Sequence, residues 1–147
     1  MVSPLGNSSE TFFVNLARGR SGIVALPAPA TAPPGRSVLR DPRNHIGGVV
    51  AFDGARYFPA PKLRMLDRVS QFALVAADQA VRDAGLLFDG PGCERAGVSV
   101  GTGMGGAQSA DAGYFTLYAE GSDRVKPYSV LMAMTNAAAS WIGIEYG

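Results

Sequence analysis

Residues Ala96 to Gly106 read AGVSVGTGMGG, a short apolar run that passes straight into Gly101, Gly103, Gly105 and Gly106. So little side chain at the end of a strand-like segment marks a place where backbone must come close to something else. A phosphate, a substrate tail and another stretch of backbone are the three candidates. The run Gly101-Thr102-Gly103-Met104-Gly105-Gly106 formally satisfies the G-x-G-x-x-G pattern. A dinucleotide site would also need an acidic residue about twenty positions on, at the end of a second parallel strand. Glu120 and Asp123 lie at that distance, but Tyr114 to Ala119 before them read as helix, so this function is disfavoured.

The flanking segments set the fold class. A first helix is expected from Asn7 or Ser8, since Asn7 and Glu10 have capping-box spacing, and Gly19 is its stop. Residues 24 to 44 carry Pro27, Pro29, Pro33, Pro34 and Pro42, which deny a helix its donors and its backbone region. They read as an irregular surface loop inside one domain. Gly48 to Phe52 is a short strand candidate. Asp67 to Ala84 is the strongest helix, capped by Asp67 and ended by Gly85. Val69, Phe72, Ala73, Ala76, Ala80 and Ala84 follow helical spacing, while Leu74, Val75 and Val81 fall on other faces, so cover on more than one side is expected. Val98 to Gly101 is a second strand candidate. Ala107 to Ala119 is a helix weakened by Gly113, and Ser129 to about Tyr146 is one apolar helix with Ser129 as its cap. This alternation points to a layered α/β protein.

Composition narrows the function classes. A chain of 147 residues with 47% hydrophobic and 17% charged residues is a globular domain with a real core. A net charge of +1 gives no general pull toward nucleic acid or anionic membrane. The lone Cys93 excludes an internal disulfide framework and suits a reducing cytoplasm. No apolar run is long enough for a membrane span, and the first residues lack the basic and apolar regions of a signal peptide.

Three ordered segments carry a family resemblance. LDRVSQFALVAADQAVRDAGL (66–86), RAGVSVGTGMGG (95–106) and KPYSVLMAMTNAAASWIGIEYG (126–147) resemble the N-terminal half of β-ketoacyl-acyl carrier protein synthases of the elongating type. SPLGN (3–7) and LARGRSGI (16–23) are similar to that family as well. The resemblance implies a partial, layered thiolase-like α/β fold over residues 1–147, the N-terminal half only. It also implies a homodimer in the full-length parent, acyl carrier protein as partner, and no cofactor. The implied reaction is a decarboxylative Claisen condensation in fatty acid or polyketide synthesis, run through a cysteine at a helix N-terminus.

The family's nucleophilic cysteine and its two histidine motifs match no residue of this chain. Cys93, in GPGCERAG, and His45, in RNHIG, are assigned to no catalytic step, and no His/Cys cluster has metal-ligand spacing. The chain therefore reads as a fragment, truncated at both ends, that is inactive alone. A non-catalytic, chain-length-factor-like partner of the same fold is the alternative, and an independent small α/β binding domain is a third reading. Met104 matches a position that touches the acyl chain, a role its adaptable thioether suits. Ser129 matches a position that reaches across the dimer toward the partner's pocket, where the family often has an aromatic and this chain a small hydroxyl. Lys62, Arg64 and Arg68 gather near the start of the long helix, where cations are unfavourable. The resemblance offers docking of the acidic carrier protein as the reason.

Overall fold

The computed structural model describes residues 1–26, 46–90 and 93–147. They form two compact units, Met1–Phe52 and Asp53–Gly147. Most of the proline-rich stretch, and His45, lie outside the described residues.

In the first unit, helix α1 spans Ser9–Ala17. Its cap is Ser8, whose hydroxyl accepts the Thr11 amide at 3.2 Å. The expected Asn7–Glu10 box does not form, because the Asn7 side chain donates instead to the Ala51 carbonyl. Strands β1 (Ile23–Ala25) and β2 (Ile46–Gly48) pair antiparallel, with Ile23 opposite Gly48. β2 thus ends where the sequence pattern places the start of a strand. Gly47 and Gly48 are part of the ladder, and Val49 to Phe52 leave it.

The second unit is helical. Asp53 opens a short 3-10 turn, Gly54–Arg56, by accepting the Ala55 amide. Helix α2 (Ala60–Leu63) follows Pro59 and is a single turn. Helix α3 spans Arg68–Ala84, as the sequence predicts. Asp67 caps it through the Val69 amide at 2.9 Å, and Gly85, at φ 62°, closes it. The Leu86 amide then reaches the Val81 carbonyl and the Gly85 amide that of Arg82, which satisfies two orphan acceptors.

The fully buried residues of α3 are Ser70, Leu74 and Val75, while Val69, Phe72, Ala73 and Ala76 are half-buried and Ala80 and Ala84 are exposed, so α3 is covered on more than one side over its first turns only. Leu66, Leu74 and Ile142 form the core cluster, with Ala73, Ala77, Trp141 and Tyr146 packed on it. Each large aliphatic side chain so buried contributes about 1.5–3 kcal/mol. The face that α6 covers, rather than the densest apolar count, decides which residues are inside.

Helix α4 (Ala107–Tyr114) runs on into a π-helical turn, Phe115–Ala119, closed by the Glu120 amide on the Phe115 carbonyl at 3.2 Å. The expected final helix is broken in two, α5 (Ser129–Ala133) and α6 (Ala137–Tyr146), with Met134 extended at ψ 139°. Ser129 is the first helical residue and Tyr128 the cap position, so Ser129 is not a cap. Val98 to Gly101 carries no strand: among the described residues no second strand lies beside it to form a ladder.

Candidate functional site

The glycine turn answers its own question through Gly105 and Gly106. A Cβ on Gly106 would overlap the Met132 carbonyl oxygen, and one on Gly105 would lie 2.9 Å from the Ala133 carbonyl oxygen. Gly105 is also left-handed, at φ 57°. The Gly106 amide donates to the Ala133 carbonyl at 3.4 Å. These two glycines therefore exist for backbone contact with the end of α5. Gly101 and Gly103 face open space. That contact also breaks the last helix. In a continuous helix Ala133 O would accept the Ala137 amide, whereas here that amide turns to Met134 O at 3.1 Å.

Beside this junction lies a cleft of about 470 Å³ between α3, α4 and the segment leading into α5. Leu66, Ala112, Val125 and Met132 supply its apolar lining. Arg68, Arg124 and Lys126 stand around it as cations, with Gln71, Gln108, Thr116 and Ser129 as neutral polar groups. Its one acid, Asp67, is buried and fully engaged: one carboxylate oxygen accepts the Val69 amide and the other accepts the Ser109 amide and hydroxyl. With three cations and one carboxylate among its lining residues, the cleft carries a positive excess.

The sequence-derived residues separate. Ser129 lines this cleft, and also an apolar groove shared with Tyr114, Leu117 and Val130. Met104 is 77% exposed and does not line the cleft. Arg68 does, with its guanidinium over the Phe72 ring at 4.8 Å. Lys62 and Arg64 are not in the first turn of α3. They end α2, where a cation meets carbonyls rather than amides, so no unfavourable dipole needs explaining there. Lys62 pairs with Glu145 of α6 and stands over the Phe58 ring, while Arg64 is exposed.

Arg124 and Lys126 were not singled out from the sequence. They lie 56 and 58 positions beyond Arg68, and only the fold brings the three to one cleft. Cys93 is a half-buried free thiol in a short turn, Cys93–Arg95, beside an apolar groove with Phe88, Val98 and Ile142. Among the described residues no three His, Cys, Asp or Glu side chains gather to hold a metal, and no helix is long and apolar enough to cross a membrane.

Comparison with known proteins gives this geometry a setting. The family model of the β-ketoacyl synthase N-terminal domain matches residues 1–147. A 3-oxoacyl-[acyl-carrier-protein] synthase 2 of Synechocystis sp. is 29% identical over 147 residues, 99% of this chain and 33% of its own length. The protein of the same name from Staphylococcus aureus strain N315 is 30% identical, over 99% of this chain and 34% of its own. A crystal structure of a β-ketoacyl synthase from Burkholderia phymatum STM815 superposes with a TM-score of 0.76 at 22% identity, over 99% of this chain and 34% of that one. The chain spans about a third of the length of the curated relatives it matches, and its backbone has their thiolase-like α/β fold. The family match over the whole of residues 1–147 makes the conclusion direct: this chain belongs to the β-ketoacyl synthase N-terminal domain family.

Proposed function

We infer that this domain serves a 3-oxoacyl-[acyl-carrier-protein] synthase, holding the acyl chain and the carrier protein for a decarboxylative condensation. The family match across residues 1–147 carries this reading. The cleft supports it physically: an apolar lining for an aliphatic tail, rimmed by Arg68, Arg124 and Lys126. An acidic protein partner is drawn to such a rim by long-range attraction that salt weakens. In the reaction an acyl group passes from a carrier thioester to an enzyme cysteine thiolate. Malonyl carrier protein then loses carbon dioxide, and the resulting carbanion attacks the acyl thioester carbonyl and releases the thiolate. Neither Cys93 nor His45 is assigned to that chemistry, so the share of this chain is binding, and alone it is inactive.

Ser129 contacts the acyl chain from the cleft side, and Met104 from the glycine turn. Arg64 and Arg68, with Arg124 and Lys126, form the docking surface. Lys62 contributes less, since its ammonium is already paired with Glu145. The working assembly is a homodimer located in the cytoplasm.

The test is titration of a holo acyl carrier protein against the 147-residue chain at low and at physiological salt, followed by calorimetry or NMR. Binding should weaken with salt and fall about tenfold when Arg68 and Arg124 are both changed to Ala. Salt-independent binding, or no binding, rejects the docking surface. Malonyl carrier protein incubated with the chain should release no carbon dioxide.

A further inference from the structure

Asp67 makes a contact that its role as the cap of α3 does not require. One carboxylate oxygen accepts the Val69 amide at 2.9 Å. The other accepts the Ser109 amide at 3.0 Å and the Ser109 hydroxyl at 2.6 Å, across 42 positions of sequence. Ser109 is the third residue of α4, where a backbone amide has no partner inside its own helix. The cap position of α4 is Gly106, which makes no side-chain cap bond. Gly106 cannot be exchanged for a capping Ser or Asp, because its missing Cβ is what admits the Met132 carbonyl. The cap that α4 cannot supply for itself comes from α3.

We propose that Asp67 is the positioning residue of the cleft, fixing α4 against the start of α3 and so setting the distance between its cationic walls. Arg68 follows Asp67 directly on one wall. The other wall lies beside α4: a Cβ added at Gly113 would stand 3.7 Å from the Val125 side chain, and Arg124 and Lys126 flank Val125. The same start of α4 holds Gly105 and Gly106 against α5, which carries Ser129 and Met132. Asp67 as a whole is only 4% exposed, so its hydrogen bonds compete little with water.

Asp67→Asn separates this role from simple capping. Asn is as good an N-cap as Asp, so the carbonyl oxygen still holds Val69. The amide nitrogen put in place of the second oxygen cannot accept from Ser109. In the 147-residue chain, hydrogen exchange by NMR should show the Ser109 amide losing protection about tenfold or more while Val69 keeps its own. Unchanged protection at Ser109, or loss at Val69 as well, overturns the proposal.

A second readout rests on the carrier-protein reading above. Asp67→Asn deletes a negative charge beside three cations, so charge alone predicts tighter binding of an acidic carrier protein. Positioning predicts weaker binding, about threefold or more, and tightening overturns it. Should that variant fail to fold, Ser109→Ala keeps Asp67 and its charge. It should raise exchange at Ala110, whose amide donates to the Gly106 carbonyl in the first turn of α4, and no change there overturns the proposal. If the unaltered chain binds no carrier protein, the docking reading falls, while the exchange pattern still decides the role of Asp67.

Discussion

Gly106 and Gly101 stand five positions apart in one glycine run and answer to different constraints. A methyl on Gly106 meets the backbone of Met132, which cannot swing aside as a side chain tip would. A methyl on Gly101 meets nothing within 4 Å, and its backbone is not left-handed. Gly106→Ala should therefore cost about 1–3 kcal/mol, the range for overpacking a tight contact. Gly101→Ala should be neutral or stabilise by about 0.4–1 kcal/mol, by restricting the unfolded chain. Urea unfolding of the two variants checks this, and equal effects would show that Gly106 is not a contact point. The sequence alone announced that backbone came close to something, and left phosphate, substrate tail and backbone open. The choice lay in Met132 to Met134, almost thirty residues downstream, and no local pattern around Gly106 names them.

At the scale of elements, α3 was legible at both ends because its signals are local: an Asp that reaches an amide two residues on and a Gly that can turn left-handed. The break between α5 and α6 was not, because the carbonyl that fails to continue the helix is claimed by Gly106 from another element. The 98–101 segment failed for the related reason that a strand exists only with a partner beside it. The cleft was half legible. Arg68 and Ser129 could be picked out, whereas Arg124 and Lys126 needed α4 and its π-helical turn to carry them round. The packing of α6 on α3 has a titratable marker in Tyr146, whose ring is tilted against that of Phe88 with centroids 5.5 Å apart. Burial, and then the charges of Asp78 and Glu145, push its phenol above the ordinary 10.0, with Arg82 opposing. The folded state then holds the proton more tightly than the unfolded chain. Stability linked to Tyr146 is thus complete below pH 10 and is lost as the pH rises through the raised value. Urea midpoints measured from neutral pH to about pH 11 should fall faster for the wild type than for Tyr146→Phe. Parallel curves would mean that α6 does not hold this phenol in its groove.

For the whole molecule, the balance of buried and exposed apolar side chains governs behaviour. The buried hydrophobics among the described residues are Leu66, Leu74, Val75, Met132, Ala137, Ala138 and Ile142, three of them no larger than Ala or Val. Against these, Leu87, Tyr118, Val130 and Ile144 are each more than two-thirds exposed, and Tyr114 and Tyr118 stack on each other at 6.0 Å on the surface. The segment 98–101 adds backbone groups without a ladder. The curated relatives have about three times this length of chain, and a fold of that size buries a larger fraction of its apolar surface. A chain with this core should keep its helices, whose caps are local, more firmly than its side-chain packing. On heating, the 147-residue chain should lose the near-ultraviolet signal of Trp141 and the tyrosines, and begin to bind a hydrophobic dye, at a lower temperature than it loses its far-ultraviolet helical signal. A single sharp transition, coincident in both spectral regions and without dye binding, would instead show that the Leu66–Leu74–Ile142 cluster suffices as a cooperative core. The exposed apolar residues would then be a surface the domain tolerates rather than one that must be covered.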